Sequence, residues 1–258
     1  MAETPVMQTP VQTYGSIPGE NERDQPKQFP PLTDLGSTDT FTFATRTSSG
    51  SRVPQAIAHR GYKAKFPENT LGAFKGAVDV GADAIETDIH LSQDGVVVLS
   101  HDADLQRCFG QPDKIITRDW SYLSTLRTLA APHESMPRLK DLLEYLTQPG
   151  CEHIWVLLDV KVDNDAEEVM KRIAETVHSV PAVDKRPWHE RIVVGIWSAS
   201  WLTQTHTHLP LYPVTHISFS LLTSSRLLSV PNISFNIPHF ILRIPFFGRR
   251  FVRRAHSP

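Results

Sequence analysis

Residues 56–101 read AIAHRGYKAKFPENTLGAFKGAVDVGADAIETDIHLSQDGVVVLSH, and their pattern indicates the fold class. Its first four residues, AIAH (56–59), form a short apolar run that predicts a buried strand. Apolar residues then recur with helical spacing between positions 71 and 78, and Asn69 or Thr70 supplies the polar residue that begins a helix. A strand followed directly by a helix is typical of the first unit of a parallel α/β fold.

Two more strand patterns follow, DAIETDIHL and VVVLSH, and only SQDG separates them. Parallel neighbours need a connection of about a dozen residues, so this pair predicts an antiparallel hairpin. A turn centred on Asp94–Gly95 sets Asp88 opposite His101, whereas a turn one residue earlier sets Glu86 opposite His101. Either register returns the histidine beside the acidic pair, and Glu86 and Asp88 share one face of their strand because they are two residues apart.

The rest of the chain repeats the alternation of strand and helix. Further strands are predicted at 153–161, 191–197, 213–220 and 232–237, and helices at 137–148, 165–179, 198–207 and 221–229. Such alternation indicates a parallel α/β architecture. The number of successive units favours a (β/α)8-type TIM barrel over an open sheet.

Composition divides the chain into three parts. Residues 1–54 are rich in Pro, Gln, Ser and Thr and have no hydrophobic period, which predicts a disordered N-terminal extension. Residues 55–237 carry the barrel pattern, and residues 238–258 form a basic tail. This arrangement predicts one large domain between two terminal segments.

Charge is distributed unevenly along the 258 residues. The net charge is −2, yet no Asp or Glu follows Glu190, and seven arginines do. The first 190 residues therefore have a net charge of −9. The C-terminal arginines are either a solvated helix or frayed end, or a basic surface that meets anionic lipid.

The chain contains no apolar run of the length that spans a membrane and no recognisable secretory signal. Two unpaired cysteines, Cys108 and Cys151, are typical of a reducing compartment, so an intracellular protein is expected, cytoplasmic or peripheral on a membrane.

Charged and polar residues collect at the ends of the predicted strands. They are His59 and Arg60 after the first strand, Glu86 and Asp88 on the second, His101 at the end of the hairpin, and Asp159 and Lys161 at 153–161. In α/β barrels the carboxyl ends of the strands form the active site. These side chains are therefore expected to meet at one edge of the sheet.

The residue types in this set indicate a reaction at phosphate. Carboxylates at one sheet end, with nothing between them to neutralise their repulsion, favour a hard divalent cation. Two histidines beside such a cation are candidates for a general acid and a general base. Arg60 and Lys161 suit an anionic substrate such as a phosphate ester. For each residue a structural role is the alternative, and Lys161 in particular is predicted to pair with Asp159 or with Glu86.

Several ordered motifs resemble one family. They are A-H-R-G-Y (58–62), F-P-E-N-T-L-x-A-F (66–74), E-T-D (86–88), D-G-V-V-V (94–98) and H-D (101–102). Together they resemble the glycerophosphodiester phosphodiesterases over about 55–237. Within that family, K-A-K-F-P-E-N-T, L-L-D-V-K and V-G-I-W look most like the fungal phosphatidylglycerol phospholipase C branch.

The resemblance implies a TIM barrel that cleaves phosphodiesters with bound Ca²⁺ or Mg²⁺. It implies that His59 and His101 are the catalytic pair and that Arg60 contacts phosphate. The residues that match metal ligands are Glu86, Asp88 and Asp159, and Lys161 matches the lysine that follows them. Asp159 stands where most members of the family have a glutamate, and the phospholipase C branch resembles this chain in having aspartate there.

The resemblance also implies a difference at the C-terminal end. The family finishes with a strand resembling W-T-V-N and a last strand ending in T-D, and neither follows residue 237 here. The expected barrel is therefore incomplete and lacks its last one or two strands, as a truncated chain would.

Three functions follow as hypotheses. The first is a phosphoric diester hydrolase of lipid metabolism whose substrate is a glycerophosphodiester or phosphatidylglycerol. One histidine takes a proton from the nucleophile and the other protonates the leaving alcohol, while the nucleophile is either a neighbouring glycerol hydroxyl or water. The second is an inactive or unstable remnant of such an enzyme, and the third is a basic protein that binds a lipid surface. No nucleic acid and no specific protein partner is expected.

Overall fold

The structure is a computed structural model that describes residues 40–46, 48–182, 186–230 and 233–255. Its strands are β1 (Thr45–Arg46), β2 (Arg52–Val53), β3 (Ile57–His59), β4 (Ala84–Leu91), β5 (Val97–Leu99), β6 (Trp155–Val160), β7 (Ile192–Ile196), β8 (Val214–Ile217) and β9 (Ile233–Asn236). Its α-helices are α1 (Leu71–Asp79), α2 (Gln106–Phe109), α3 (Trp120–Leu123), α4 (Leu139–Leu146), α5 (Ala166–His178), α6 (Leu202–His208), α7 (Leu221–Ser225), α8 (His239–Leu242) and α9 (Phe247–Ala255). Short 3-10 helices lie at Thr40–Thr42, Ile115–Thr117, Trp188–Glu190 and Ala199–Trp201. In these ranges no helix is both long enough and apolar enough to cross a lipid bilayer.

Six parallel strands form the main sheet, in the order β3-β4-β6-β7-β8-β9. β5 pairs with β4 in the antiparallel sense. Among the described residues, β3 and β9 are the two open edges of this sheet. The predicted α/β fold is confirmed as a TIM-barrel-like sheet that does not close.

The sheet is stabilised by strands that are apolar throughout and by helices that are apolar on one side. Every residue of β4 and β6 is buried. Helix α5 buries Val169, Ile173 and Val177, which are four residues apart and so lie on one face. Because the six strands run in the same direction, the residues at their carboxyl ends meet at one edge.

The β4–β5 hairpin is antiparallel as predicted, but both predicted registers are wrong by one residue. Ile89 faces Leu99, so the residue opposite Asp88 is Ser100, whose backbone N–H donates to the Asp88 carbonyl at 3.1 Å. His101 follows immediately, beyond the end of β5.

The register differs because the loop has an odd number of residues. The backbone N–H of Ser92 donates to the carbonyl of Val96 at 3.0 Å, which leaves three residues in the loop. Gly95 is the last of them and has a φ of 78°, a left-handed conformation that glycine adopts without steric cost. A three-residue loop with glycine at this position is a common hairpin connection, whereas the two predicted turns both assumed an even count.

Residues 102–136 carry elements that the sequence analysis did not predict. Helices α2 and α3 lie here and enclose a small apolar cluster of their own. Its buried members are Val98, Leu105, Phe109, Ile115, Leu123, Leu126 and Met136. Val98 belongs to β5, so this cluster fixes the hairpin from the side away from the main core.

The segment predicted to be an unstructured extension differs from that prediction in its described part. Residues 1–39 and Thr47 lie outside the described residues. The 3-10 helix at 40–42 and the β1–β2 hairpin follow, and the ring of Phe41 packs edge-on against Trp155 of β6 at 5.8 Å between ring centres. Gln55 ties the two together, because its amide nitrogen donates to the Phe41 carbonyl and its amide oxygen accepts from the Trp155 indole. Aromatic packing of this kind orders a polar segment that has no hydrophobic period of its own.

The described part of the predicted basic tail, 238–255, also packs on the sheet. It contains α8 and α9, and the ring of Phe251 in α9 contacts Phe235 of β9 edge-on at 5.2 Å. Residues 256–258 lie outside the described residues. The arginine-rich segment is therefore a helix on the outer face of the last described strand.

Candidate active site

Three carboxylates meet near the carboxyl ends of two neighbouring strands. Asp88 of β4 is directly opposite Asp159 of β6, and Glu86 precedes Asp88 by two residues on the same face. One oxygen from each of the three lies within 4.8 Å of the others, and all three residues are buried. The structure therefore brings together the three residues predicted as metal ligands.

A lysine lies between two of these carboxylates, contrary to the expectation that nothing neutralises them. Nζ of Lys161 is 2.6 Å from Oδ1 of Asp88 and 2.6 Å from Oδ2 of Asp159. Burial opposes its charge, but the two carboxylates outweigh burial and raise the pKa of Lys161. The predicted pair with Asp159 is confirmed, and the alternative partner is Asp88 rather than Glu86.

Glu86 is the acid whose charge is least compensated. Burial, followed by the charges of Asp88 and Asp159, raises the pKa of Glu86 to about 8. Its Oε2 accepts from the backbone N–H of Arg60 at 3.0 Å and lies 3.7 Å from Nε2 of His59. Without a cation this carboxyl is therefore mostly protonated at neutral pH.

A strained turn after β3 positions Arg60. Arg60 has a φ of 62° and Gly61 a φ of 78°, so two successive residues are left-handed. A Cβ on Gly61 would overlap the backbone of Ala73 in α1, which requires glycine there. The guanidinium of Arg60 then lies between two acids, with Nη1 3.0 Å from Oε1 of Glu68 and Nε 3.4 Å from Oδ2 of Asp88. A left-handed non-glycine residue held in this way is typical of functional sites.

His59 ends β3 directly opposite Glu86. Its Nδ1 lies 3.1 Å from Nζ of Lys63, a donor, so Nδ1 is the acceptor and Nε2 carries the hydrogen in the neutral ring. Partial burial, with the charges of Arg60 and Lys63, lowers the pKa of His59. The ring is therefore neutral near pH 7, and its half-exposed edge is accessible to a ligand.

His101 is held by a chain of ion pairs that leads back to Arg60. Nδ1 of His101 lies 2.8 Å from Oδ1 of Asp102, whose Oδ2 accepts from Nε of Arg107 at 2.6 Å. Arg107 also donates to Oε1 of Glu68 at 2.7 Å, the same oxygen that binds Arg60. The hydrogen bond from His101 and the charge of Arg107 hold the pKa of Asp102 well below its usual range. Asp102 therefore stays ionised and keeps the hydrogen on Nδ1 of His101, which leaves Nε2 as the acceptor.

Two residues of the site were missed or misjudged from sequence. Asn69 was predicted only as a helix start, yet its amide nitrogen donates to Oδ2 of Asp88 at 2.8 Å and its oxygen accepts from Thr87. Trp197 lies in the predicted strand 191–197, where it has no assigned role, but it is only partly buried and its indole N–H donates to Oδ1 of Asp159 at 2.6 Å. A polar residue next to a helix cap, and a Trp directly after a strand, were the available signals.

The donor set fits a hard divalent cation. All three acids offer oxygen, the ligand atom that Ca²⁺ and Mg²⁺ prefer, and they lie close enough together to share one ion. Burial and the charges of Asp88 and Asp159 raise the pKa of Glu86, and a cation bound at this position would favour its ionised form. These residues could therefore hold a divalent metal ion such as Ca²⁺ or Mg²⁺.

We expect Glu86→Gln to stabilise the metal-free protein, and increasingly so at higher pH. Because the pKa of Glu86 is raised from 4.5 to about 8 in the folded state, its contribution to stability is fully present below pH 4.5 and is lost as the pH rises through about 8. Glutamine carries no charge at any pH and avoids that loss. In the presence of a chelator, thermal melts should show a higher Tm for E86Q, by about 5 °C or more at pH 8.5 and by little near pH 5.

The matched control for this prediction is Glu167→Gln. Glu167 is exposed in the first turn of α5, so its replacement should leave the Tm nearly unchanged at both pH values. A Tm difference between E86Q and the wild type that does not depend on pH would contradict the assigned electrostatics.

Comparison with known proteins defines the family. The model of the glycerophosphoryl diester phosphodiesterase family matches residues 59–258, which is most of the chain. The chain therefore belongs to the glycerophosphoryl diester phosphodiesterase family. The resemblance found in the sequence motifs is confirmed at this level.

Individual relatives agree with this assignment. A glycerophosphodiester phosphodiesterase of Bacillus altitudinis is 28% identical over 182 residues, covering 66% of this chain and 67% of that protein. A probable glycerophosphodiester phosphodiesterase of Mycobacterium tuberculosis is 30% identical over 150 residues, covering 58% of this chain but only 50% of its own length. The matches thus span between half and two thirds of these two relatives.

The fold is also found among solved structures. A phosphodiesterase of Oleispira antarctica, crystallised with the product sn-glycerol-3-phosphate, superposes with a TM-score of 0.60 and 22% identity, covering 71% of this chain and 74% of that one. This similarity concerns the fold.

Proposed function

We propose that this chain is a divalent-metal-dependent phosphodiesterase that acts on a glycerophosphodiester or a glycerophospholipid. The observation that carries the proposal is the convergence of Glu86, Asp88 and Asp159 with His59 and Arg60 at one edge of the sheet. Membership of the family supports it, as does the glycerol phosphate product bound by the Oleispira protein of similar fold.

In this proposal Glu86, Asp88 and Asp159 hold Ca²⁺ or Mg²⁺. The bound ion supplies positive charge that neutralises the phosphate and activates the attacking oxygen. Arg60 and Lys161 bind the phosphate oxygens. Each of these cations now lies against a buried carboxylate, so a phosphate would draw them partly away from Asp88. Their charges persist in either position because arginine and a carboxylate-paired lysine remain protonated.

The two histidines are the proposed proton carriers. Asp102 fixes the hydrogen of His101 on Nδ1, so Nε2 of His101 is ready to accept a proton from the nucleophile. His59 is the proposed general acid for the leaving alcohol. Because its lowered pKa leaves the free ring neutral near pH 7, it must take up a proton when the substrate binds, and the negative charge of the phosphodiester favours that protonated form. The nucleophile in this scheme is water or a glycerol hydroxyl of the substrate.

For the substrate we propose phosphatidylglycerol, cleaved in the manner of a phospholipase C, as in the fungal branch of the family that the motifs resemble. The aromatic rings beside the carboxylates support a substrate with an apolar part. Trp197 stacks on Phe219 at 5.9 Å between ring centres, and Nζ of Lys161 lies 5.8 Å from the Trp197 ring. An acyl-glycerol moiety would contact this pair while its phosphate meets Lys161.

The test is turnover of phosphatidylglycerol in mixed micelles and of glycerophosphoglycerol in solution, each with and without a chelator. We expect release of glycerol phosphate when water is the nucleophile, or of cyclic glycerol phosphate when a glycerol hydroxyl of the substrate is, and this release should stop on chelation and return with Ca²⁺ or Mg²⁺. Turnover that survives exhaustive chelation would overturn the metal-dependent mechanism. Turnover of the soluble diester alone would overturn the choice of phosphatidylglycerol.

A second candidate is an inactive remnant of such an enzyme, favoured by the open sheet. Among the described residues β3 has one neighbour, β4, and its Ile57 is 46% exposed. His59 ends this edge strand and has little packing on its open side, whereas Arg60, which follows it, is held by Glu68 and Asp88. Catalytic groups need positioning to about half an ångström, so loss of that support would abolish turnover.

For the second candidate we expect the 258-residue chain to bind a hydrophobic dye and to melt without a sharp transition. Dye fluorescence and differential scanning calorimetry measure both. A cooperative melt together with chelator-sensitive turnover would exclude the remnant and leave the enzyme.

A further inference from the structure

Several large apolar side chains are exposed around the carboxyl edge of the sheet. Phe219 lies in the connection after β8, Leu222 in the first turn of α7, Phe240 in α8, and Phe246 and Phe247 at the start of α9. They are between 64% and 72% exposed. We call these five residues the apolar rim. Exposed apolar groups concentrated on one part of a surface mark an interaction site.

The apolar rim belongs to the same edge as the carboxylate cluster. Connections that follow parallel strands leave from their carboxyl ends, where Asp159 also lies. Phe219 stacks on Trp197, and Trp197 donates its hydrogen bond to Asp159, so contacts join this member of the rim to the site. The turn before α9 folds back on α8, since a Cβ on Gly248 would overlap the backbone of Leu242.

A cationic face adjoins the apolar rim. Helix α9 carries Arg249, Arg250, Arg253 and Arg254, which are paired at a spacing of four residues and so form one stripe. Together with Phe246 they line an open groove. Phe251, on another side of the helix, is buried against the sheet and fixes the orientation of the stripe. These four arginines give the groove a positive lining, and no acidic residue follows Glu190 in the sequence.

From these observations we propose that the apolar rim and the arginine stripe of α9 dock the protein on an anionic membrane surface. Phenylalanine side chains at the tips of turns enter the boundary between headgroups and acyl chains, and adjacent arginines bind lipid phosphates. Charge complementarity favours an anionic lipid surface over a neutral one. Docking in this orientation faces the carboxylate site toward the lipid. That this orientation gives the site access to a lipid substrate rests on the proposed function, whereas the docking itself does not.

Co-sedimentation of the full 258-residue chain with vesicles tests the docking. We expect binding to vesicles of phosphatidylcholine with phosphatidylserine, which is not a proposed substrate, and much weaker binding to phosphatidylcholine alone. The double variant F246N/F247N should bind about tenfold or more weakly, because two exposed rings no longer enter the lipid. R249Q/R250Q should lower binding to the anionic vesicles by about tenfold or more, and added salt should reduce wild-type binding.

The matched control is V80N/L211N. Val80 ends α1 and Leu211 precedes β8, so both lie at the opposite edge of the sheet, and they are 63% and 56% exposed. This variant should bind vesicles as the wild type does. Equal loss in the control, or no loss in F246N/F247N, would overturn the proposal.

Hydrogen exchange on the wild type keeps the test independent of variant folding. Anionic vesicles should protect residues 219–222 and 239–250 but not the region of Val80. Absence of vesicle binding overturns the proposal, including a case in which the chain binds nucleic acid or self-associates instead. Vesicle binding without turnover of either substrate would refute only the proposed function, and turnover of the soluble diester without vesicle binding would refute only the docking.

Discussion

Replacing His59 or His101 by alanine should lower kcat of the metal-loaded enzyme by about two to four orders of magnitude. The expectation rests on the different hydrogen bonds that Nδ1 makes in the two rings. His101 has its hydrogen fixed on Nδ1 by Asp102, and His59 has its Nδ1 occupied by Lys63. Each ring thus presents Nε2 to the site. In the neutral rings, Nε2 of His59 carries the hydrogen, whereas Nε2 of His101 is an acceptor. Steady-state turnover of a soluble glycerophosphodiester measures the loss for each variant.

The control for both substitutions is His178→Ala. His178 is exposed at the C-terminal end of α5, at the opposite edge of the sheet from the site, so its loss should leave kcat unchanged. Near wild-type kcat for either H59A or H101A would exclude that residue as a proton carrier. Asp102→Asn separates orientation from chemistry, because it keeps the ring of His101 but loses the fixed tautomer, and we expect a smaller fall in kcat than in H101A.

The parts of the fold that sequence predicts are those with local signals. The strands from β3 to β9 are short apolar runs between polar residues, so their positions follow from composition over a few residues. The convergence of Glu86, Asp88 and Asp159 follows from two-residue spacing on parallel strands. The register of the β4–β5 hairpin does not follow from residue spacing, because it depends on whether Gly95 closes a loop of two or three residues.

The parts that sequence does not predict depend on contacts between distant residues. Glu68 and Arg107 are 39 residues apart, and only the folded chain shows that they connect Arg60 to Asp102. Lys161 is predicted to pair with Asp159 or with Glu86, whereas in the structure it pairs with Asp159 and with Asp88. Because Lys161 pairs with Asp88 as well as with Asp159, Glu86 is the acid whose charge is left uncompensated.

Asp88→Asn should therefore behave differently from Glu86→Gln in the metal-free protein. Asp88 is fully buried and accepts from Asn69 while it lies against Arg60 and Lys161. Removing its charge leaves two buried cations with fewer partners, which should lower the free energy of unfolding by about 1–3 kcal/mol. Glu86→Gln is expected to raise it. Repulsion among the acids alone would predict a rise for both.

In the presence of metal the two variants should behave alike in turnover and in metal affinity. Each loses one of the three proposed carboxylate ligands, so D88N and E86Q should both lose turnover to background and bind Ca²⁺ and Mg²⁺ far more weakly. Calorimetric titration measures the affinity, and chelator-treated thermal melts measure the stability of the same preparations. Unchanged metal affinity in D88N would contradict its assignment as a ligand. A stabilised metal-free D88N would show that Arg60 and Lys161 do not compensate Asp88, and that a cation is needed there as much as at Glu86.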